Sequence, residues 1–319
     1  MDQMVAQAEV RDRARAFAQK ADLLLDAKTI LGEGPYWHAE QRKLYYVDIA
    51  GEMVCRFDPV TMQNEQFAIG KSVGAVVCEA SDADTVIVST RDGFERYHMG
   101  TRTLTLLADP EADLPGNRFN DGKCDSRGRF FAGTMQHVEV DVTGSLYVLD
   151  TDGQCRKVAR DVGVSNGIAW SLDEKQMYYI DSMKQTVTAF DYDAENGELS
   201  NPRIIIDFQK EDGFPDGMTI DSEGMLWIAH WDGWQVSRWD PRTGSKLGAV
   251  YVPVAKASSC VFGGDDLMTL YITTASIGTS PSALALQPNA GGIFTYHPGV
   301  KGTSTYPYRQ TASKGDTAV

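Results

Sequence analysis

The chain has 319 residues, 42% of them hydrophobic and 10% aromatic, enough for a sizeable core and incompatible with a disordered chain. Its formal net charge of −14 argues against nucleic acid or an anionic membrane as partner, since both require a cationic footprint. Five scattered cysteines, Cys55, Cys78, Cys124, Cys155 and Cys260, form no CxxC pair and read as reduced thiols filling strands, which points to a cytoplasmic protein.

Residues 1–20 mix Ala, Gln and charges and predict a short surface helix or frayed extension, with neither a signal-peptide core nor a membrane-length apolar run. From residue 21 to the C-terminus a single all-β domain is expected. Short runs rich in Val, Ile, Tyr, Phe and Trp alternate with Gly, Asp, Asn and Pro turns. One strongly apolar strand recurs as Leu44-Tyr-Tyr-Val, Val86-Ile-Val, Phe130-Phe-Ala, Met177-Tyr-Tyr-Ile, Leu226-Trp-Ile-Ala and Leu270-Tyr-Ile-Thr. The starts lie about 42 to 49 residues apart, the period of four-stranded propeller blades, so the pattern predicts a six-bladed β-propeller. Ala21-Asp-Leu-Leu-Leu-Asp-Ala is expected to complete the last blade beside Gly292-Ile-Phe-Thr-Tyr, because a ring of sheets must close or leave an exposed edge. The polar tail after Gly302 is expected to be loosely held.

Blades aligned on the residue before the first inner-strand glycine present Glu33, Val73, Asp121 (beside Asn120), Asn166, Asp216 and, where glycine is missing, Ser259. Asn-Gly and Asp-Gly are ordinary turn dipeptides, so each residue taken singly reads as structural. Their agreement in repeat frame is another matter. Carboxylates converging on a narrow channel repel and are costly to bury without a cation. Carboxylate and amide oxygens are hard donors suited to Ca²⁺, Mg²⁺ or Mn²⁺, with Fe²⁺ or Zn²⁺ as further options. One divalent ion is therefore expected, and the donor set leaves the choice among these metals open. The loops returning to the same end, Gln136 to Gly144, His230-Trp-Asp-Gly and Ala275 to Pro288, offer His137, His230 and Trp231 as substrate contacts, each weighed against simple loop packing.

Seven motifs in one order, Gly32-Glu-Gly-Pro, Arg118-Phe-Asn-Asp-Gly-Lys, Ala132-Gly-Thr-Met, Val164-Ser-Asn-Gly, Tyr179-Ile-Asp-Ser, Phe214-Pro-Asp-Gly-Met and Gly291-Gly-Ile-Phe, resemble the senescence-marker-protein/gluconolactonase/luciferin-regenerating-enzyme family. The resemblance implies a six-bladed propeller with one divalent metal in its channel, calcium foremost, held by Glu33, Asn166 and Asp216, with Arg118 and Asn120 on the substrate. It favours Asn120 over Asp121, which becomes a supporting or turn carboxylate. The implied reaction is hydrolysis of a cyclic ester, a sugar-acid lactone, with the metal as Lewis acid, Asp216 as base toward water and Arg118 steadying the oxyanion. No G-x-S-x-G motif offers a serine nucleophile. Regucalcin-like members carry a substrate-contacting Glu three residues after Ala-Gly-Thr-Met. Val138 fills that slot here, with Glu139 adjacent, which puts the same sugar lactone in question. The partner expected is a small-molecule lactone, for a monomer or small homo-oligomer. Phosphotriesterase chemistry on the same cradle and non-catalytic calcium binding are the competing readings.

Overall fold

The computed structural model describes residues 19–311. The expected N-terminal extension therefore lies outside the described residues except for Gln19 and Lys20, the latter bridging Tyr251. Six four-stranded antiparallel sheets are arranged as the blades of a β-propeller. Among the described residues the one helix is Pro281–Leu284, and no helix is long and apolar enough to cross a membrane.

The inner strands are Gly32–His38, Val73–Glu79, Asn117–Cys124, Ser165–Trp170, Phe214–Ile220 and Ala257–Gly263. Each predicted apolar run is the second strand of its blade, buried on both sides by neighbouring blades; Leu44, Tyr45, Tyr46 and Val47, for example, are all fully buried. Aromatic rings fill the wedge between sheets. Trp37 stacks on Tyr271 with centroids 5.4 Å apart where the first and last blades meet. Asp125 ties the third blade to the fourth, accepting from Tyr192 Oη at 2.6 Å while pairing with Arg129 at 3.0 Å. The ring closes as the period demands: Asp22–Leu25 pairs antiparallel with Ile293–Tyr296, so the last sheet takes its outer strand from the beginning of the chain.

The tail departs from expectation. Residues 303–311 run across the propeller instead of hanging free. Thr303 Oγ1 donates to Ile220 O, Thr305 to Trp37 O, and Tyr308 is fully buried, with its Oη donating to Asp150 O at 2.9 Å. Backbone bonds from Tyr308 N to Cys78 O and from Ala80 N to Tyr308 O add it to the second blade. A few aromatic side chains in a polar segment suffice for docking when a preformed apolar surface receives them.

Candidate active site

Every inner strand carries a register irregularity against its second strand, and the aligned polar residues sit at it: Asn120 and Asp121 between Phe119 and Gly122, Asn166 between Ser165 and Ile168, Asp216 between Pro215 and Met218, and Glu33 at the edge of the shift that ends at Tyr36. A β-bulge bends its strand and re-aims side chains, here into the channel. The glycines that follow have a steric cause. A Cβ at Gly167 would lie 2.9 Å from Asp216 O, and one at Gly74 would lie 2.3 Å from Asn120 O. The dipeptides that read as turns are thus bulged strands packed backbone to backbone.

One cavity of about 340 Å³ gathers Glu33, Arg118, Asn120, Asn166, Asp216 and Trp231. Leu31, Met135, Glu139, Val164, Ser182, Met183, Phe214 and Asp232 complete its lining. Asp121 is buried deeper in the channel, facing a smaller space with Lys123 and Ser259, so the upper position belongs to Asn120. Lys123 Nζ crosses the channel to Met218 O at 2.6 Å.

The polar floor is tightly bonded. Arg118 Nη1 donates to Asn120 Oδ1 at 2.7 Å and Phe119 O at 3.1 Å; Asn120 Nδ2 donates to Ser165 O at 2.7 Å. Asn166 Nδ2 donates to Ser182 Oγ at 2.8 Å, and Ser182 Oγ donates to Pro215 O at 2.5 Å. These bonds turn the Asn166 carbonyl oxygen away from Ser182, where its one contact is Asn120 Nδ2 at 3.3 Å. Burial pushes the Glu33 carboxyl up to about 8, with the Asp121 charge adding to the effect. Burial also drives Asp216 well above the carboxylate range, with Glu33, Asp121 and Glu139 reinforcing it. Burial lowers the Arg118 guanidinium, against the opposing pull of Glu139, Glu33 and Asp216.

Two buried carboxylates beside an under-used amide oxygen fit a hard divalent cation, which relieves their repulsion. The set is two carboxylates plus amide oxygen, and among the described residues no group of three or more His, Cys, Asp or Glu side chains forms a metal cluster.

Such a pair gives the cation-free protein a definite pH response. The Glu33 and Asp216 carboxyls hold their protons in the fold to higher pH than in the unfolded chain, so stability falls as pH rises from about 5 to about 8. Exposed carboxylates such as Asp58 are held below their usual range and titrate beneath that window. Thermal unfolding of cation-stripped protein is expected to show Tm falling between pH 5.5 and 8. Calcium at about a hundredfold its Kd should raise Tm at pH 8 by roughly 5 °C. A cation-free Tm that climbs across this window contradicts the assignment.

Two expected substrate contacts stand elsewhere. His230 is fully buried: one ring nitrogen meets Asp212 O at 2.8 Å, the other Ser237 Oγ at 2.6 Å, and the ring packs 5.0 Å from Phe208. Burial takes its pKa down to about 3, so it is a neutral tie within the fifth blade. His137 is exposed and absent from the cavity lining. From the same loop the cavity receives Glu139, whose left-handed backbone (φ 56°) separates it from Val138, 67% exposed. The carboxylate missing from position 138 is therefore available one residue later. The Ala275 to Pro288 loop contributes nothing to the lining. It accepts Lys256 Nζ at Ile277 O, 2.6 Å away, while that ammonium sits 5.1 Å from the Trp231 ring centroid.

The cavity lining, both the expected Arg118 and Trp231 and the residues that sequence reasoning missed, follows a simple rule. Leu31, Arg118, Val164 and Phe214 each lie two positions before Glu33, Asn120, Asn166 and Asp216, and alternation turns residues two apart toward the same side. Met135, Ser182, Met183, Trp231 and Asp232 come from the opposite ends of the hairpins, where the second strands finish.

Residues 31–276 match the SMP-30/Gluconolactonase/LRE-like region. Regucalcin from Oryctolagus cuniculus is 41% identical over 295 residues, covering 91% of this chain and 98% of that protein. Regucalcin from Gallus gallus is 42% identical over 284 residues, 87% of this chain and 94% of its own. Among solved structures, a luciferin-regenerating enzyme superposes with a TM-score of 0.87 at 30% identity, covering 92% of this chain and all 100% of its own. A regucalcin described as a calcium-binding protein from Agrobacterium tumefaciens gives 0.86 at 26% identity, covering 92% and 98%. With the matched region, the near full-length relatives and the propeller fold in agreement, the chain belongs to the SMP-30/gluconolactonase/LRE-like family.

Proposed function

We propose that the protein is a metal-dependent lactonase that opens a cyclic ester to the corresponding hydroxy acid. The observation that carries this reading is the buried Glu33–Asp216 carboxylate pair facing the same cavity as Arg118. Glu33, Asn166 and Asp216 are the residues that would hold the ion, with calcium foremost and Mg²⁺, Mn²⁺, Fe²⁺ or Zn²⁺ as alternatives. When bound, the ion supplies Lewis-acid polarisation of the ester carbonyl. Asp216 orients the attacking water and accepts its proton on a carboxylate oxygen. Arg118, fixed by Asn120 Oδ1 and Phe119 O, directs its remaining N–H donors toward the negative charge that develops on the carbonyl oxygen. As the C–O bond of the ring breaks, Asp216 returns the proton taken from water to the ring oxygen, which becomes the hydroxyl of the single ring-opened product.

The test is alkali uptake at constant pH by cation-stripped protein given a panel of lactones, with Ca²⁺, Mg²⁺, Mn²⁺, Fe²⁺ and Zn²⁺ restored one at a time. Turnover that depends on added cation is expected; none with any pair removes the lactonase reading. The calcium-binding description of the Agrobacterium tumefaciens neighbour favours a second reading, a calcium binder without turnover. Stoichiometric calcium binding with no hydrolysis selects it, whereas hydrolysis of a phosphotriester in place of lactones assigns the cradle to the other hydrolase chemistry.

A further inference from the structure

We infer that the lactone taken by this cavity carries an alkyl or aryl substituent, not a ring studded with hydroxyls. The inference rests on the lactonase reading and narrows its substrate. The floor is polar, but its hydrogen bonds are largely spent on itself: Asn120 serves Arg118 and Ser165 O, while Asn166 Nδ2 serves Ser182, whose proton goes to Pro215 O. What remains toward a substrate are the other N–H donors of Arg118, beside the Glu33–Asp216 pair that would hold the ion.

Above the floor the wall is apolar, made by Leu31, Met135, Val164, Met183, Phe214 and Trp231. Phe214 and Trp231 are register partners across the fifth blade's hairpin, so two aromatic rings face the cavity from one side. Hydroxyls turned toward this wall leave water and find no partner, a loss that a hydrocarbon substituent avoids. The carboxylates at the mouth do not reverse this. Glu139 and Asp232 are solvent-exposed, so a hydroxyl bonding to them exchanges one hydrated contact for another.

The apolar character continues outward. Val138 and Val140, flanking Glu139, are 67% and 72% exposed, and Phe214 and Met183 are 43% and 37% exposed. Ile30 beside Leu31 is exposed too, and its carbonyl receives Ile277 N at 2.9 Å, bringing a further exposed isoleucine to it. Exposed apolar residues gathered around one opening mark a site for an apolar ligand. The volume of about 340 Å³ exceeds what a bare lactone ring fills and lies at the lower end of the range of small-molecule sites, room for the ring and a modest substituent.

The experiment uses the full-length protein with the most effective cation from the panel. Hydrolysis of γ-lactones bearing hydrogen, methyl, propyl, pentyl and phenyl groups is compared with that of glucono-δ-lactone. We expect kcat/KM to rise about fourfold per added methylene until the cavity is filled, and to exceed that for the hydroxylated ring. Phe214→Ser, at a position partly open to solvent, should flatten the series by raising KM for the longer members. In parallel, calorimetry with 5-alkyl-2-pyrrolidinones, lactams that resist hydrolysis, should show affinity increasing with chain length. A flat or falling series with glucono-δ-lactone the best substrate overturns the substituent and leaves the lactonase reading standing. If no lactone turns over, the lactonase reading falls and the lactams decide what the cavity prefers: affinity independent of chain length overturns the apolar site as well.

Discussion

Asp216→Asn is expected to lower kcat/KM for lactone hydrolysis by about 10³-fold or more, and saturating cation should not restore it. The substitution keeps shape and removes one of the two buried carboxylates that line the cavity. Two roles disappear together, a negative charge toward the cation and an acceptor for the proton of water. Asn166→Ala separates them. It removes a neutral oxygen donor and no base, so its deficit should lie in cation affinity and be substantially recovered at high cation concentration. A second signature distinguishes this from simple misfolding. Burial and neighbouring carboxylates make the ionised Asp216 unfavourable in the cation-free fold. Cation-free Asp216→Asn should therefore melt above cation-free parent at pH 8, and calcium should barely move it. Activity near that of the parent would falsify the catalytic assignment of Asp216; a Tm that still responds fully to calcium would remove it from the ion site.

The six-fold repeat was legible because each blade buries its second strand on both faces, so Leu44-Tyr-Tyr-Val and its counterparts must be apolar without interruption. Convergence of Glu33, Asn166 and Asp216 was legible because a glycine follows each as a marker: Gly167 and Gly217 lie too close to the neighbouring inner strand for a Cβ, and Gly34 takes a left-handed backbone (φ 51°). The same marker could not separate Asn120 from Asp121. A two-residue bulge sends one toward the mouth and the other deeper, and which goes where depends on backbone geometry. Strand alternation explains the error at His230: it faces into the blade toward Ser237, while Trp231, one residue on, faces the cavity. The exchange of Val138 for Glu139 depends on a left-handed residue in an irregular loop, where no periodic pattern exists to read. Burial of the tail depends on partners some 160 to 230 residues away in the chain, such as Asp150 and Cys78, and is invisible to local pattern.

That tail supports the prediction with the largest effect on stability. Tyr308→Ala is expected to destabilise the protein by about 3 to 5 kcal/mol, because it empties a fully enclosed aromatic site and abandons the bond to Asp150 O. The phenol lies within the core cluster shared by the first three blades, with Cys78, Cys124 and Phe130. At roughly 2 °C per kcal/mol for a chain of this size, Tm should fall by about 6 to 10 °C in a thermal melt. Tyr308→Phe keeps the ring and loses the hydrogen bond alone, so it should cost only about 1 kcal/mol. Ending the chain after Gly302 goes further. It removes Tyr308 together with Thr303, Ser304, Thr305 and Tyr306, which wall a lower cavity that also contains Lys123. Lys123 and Asp121 then meet water from below. Solvent reaching these groups relaxes the burial that raises Asp121 and lowers Lys123, and weakens the field that Asp121 exerts on Glu33 and Asp216. The truncated protein should accordingly show a smaller dependence of cation-free Tm on pH than Tyr308→Phe, which keeps the tail in place. If truncation and Tyr308→Phe cost the same stability and leave the same pH slope, the tail neither holds the blades nor seals the channel.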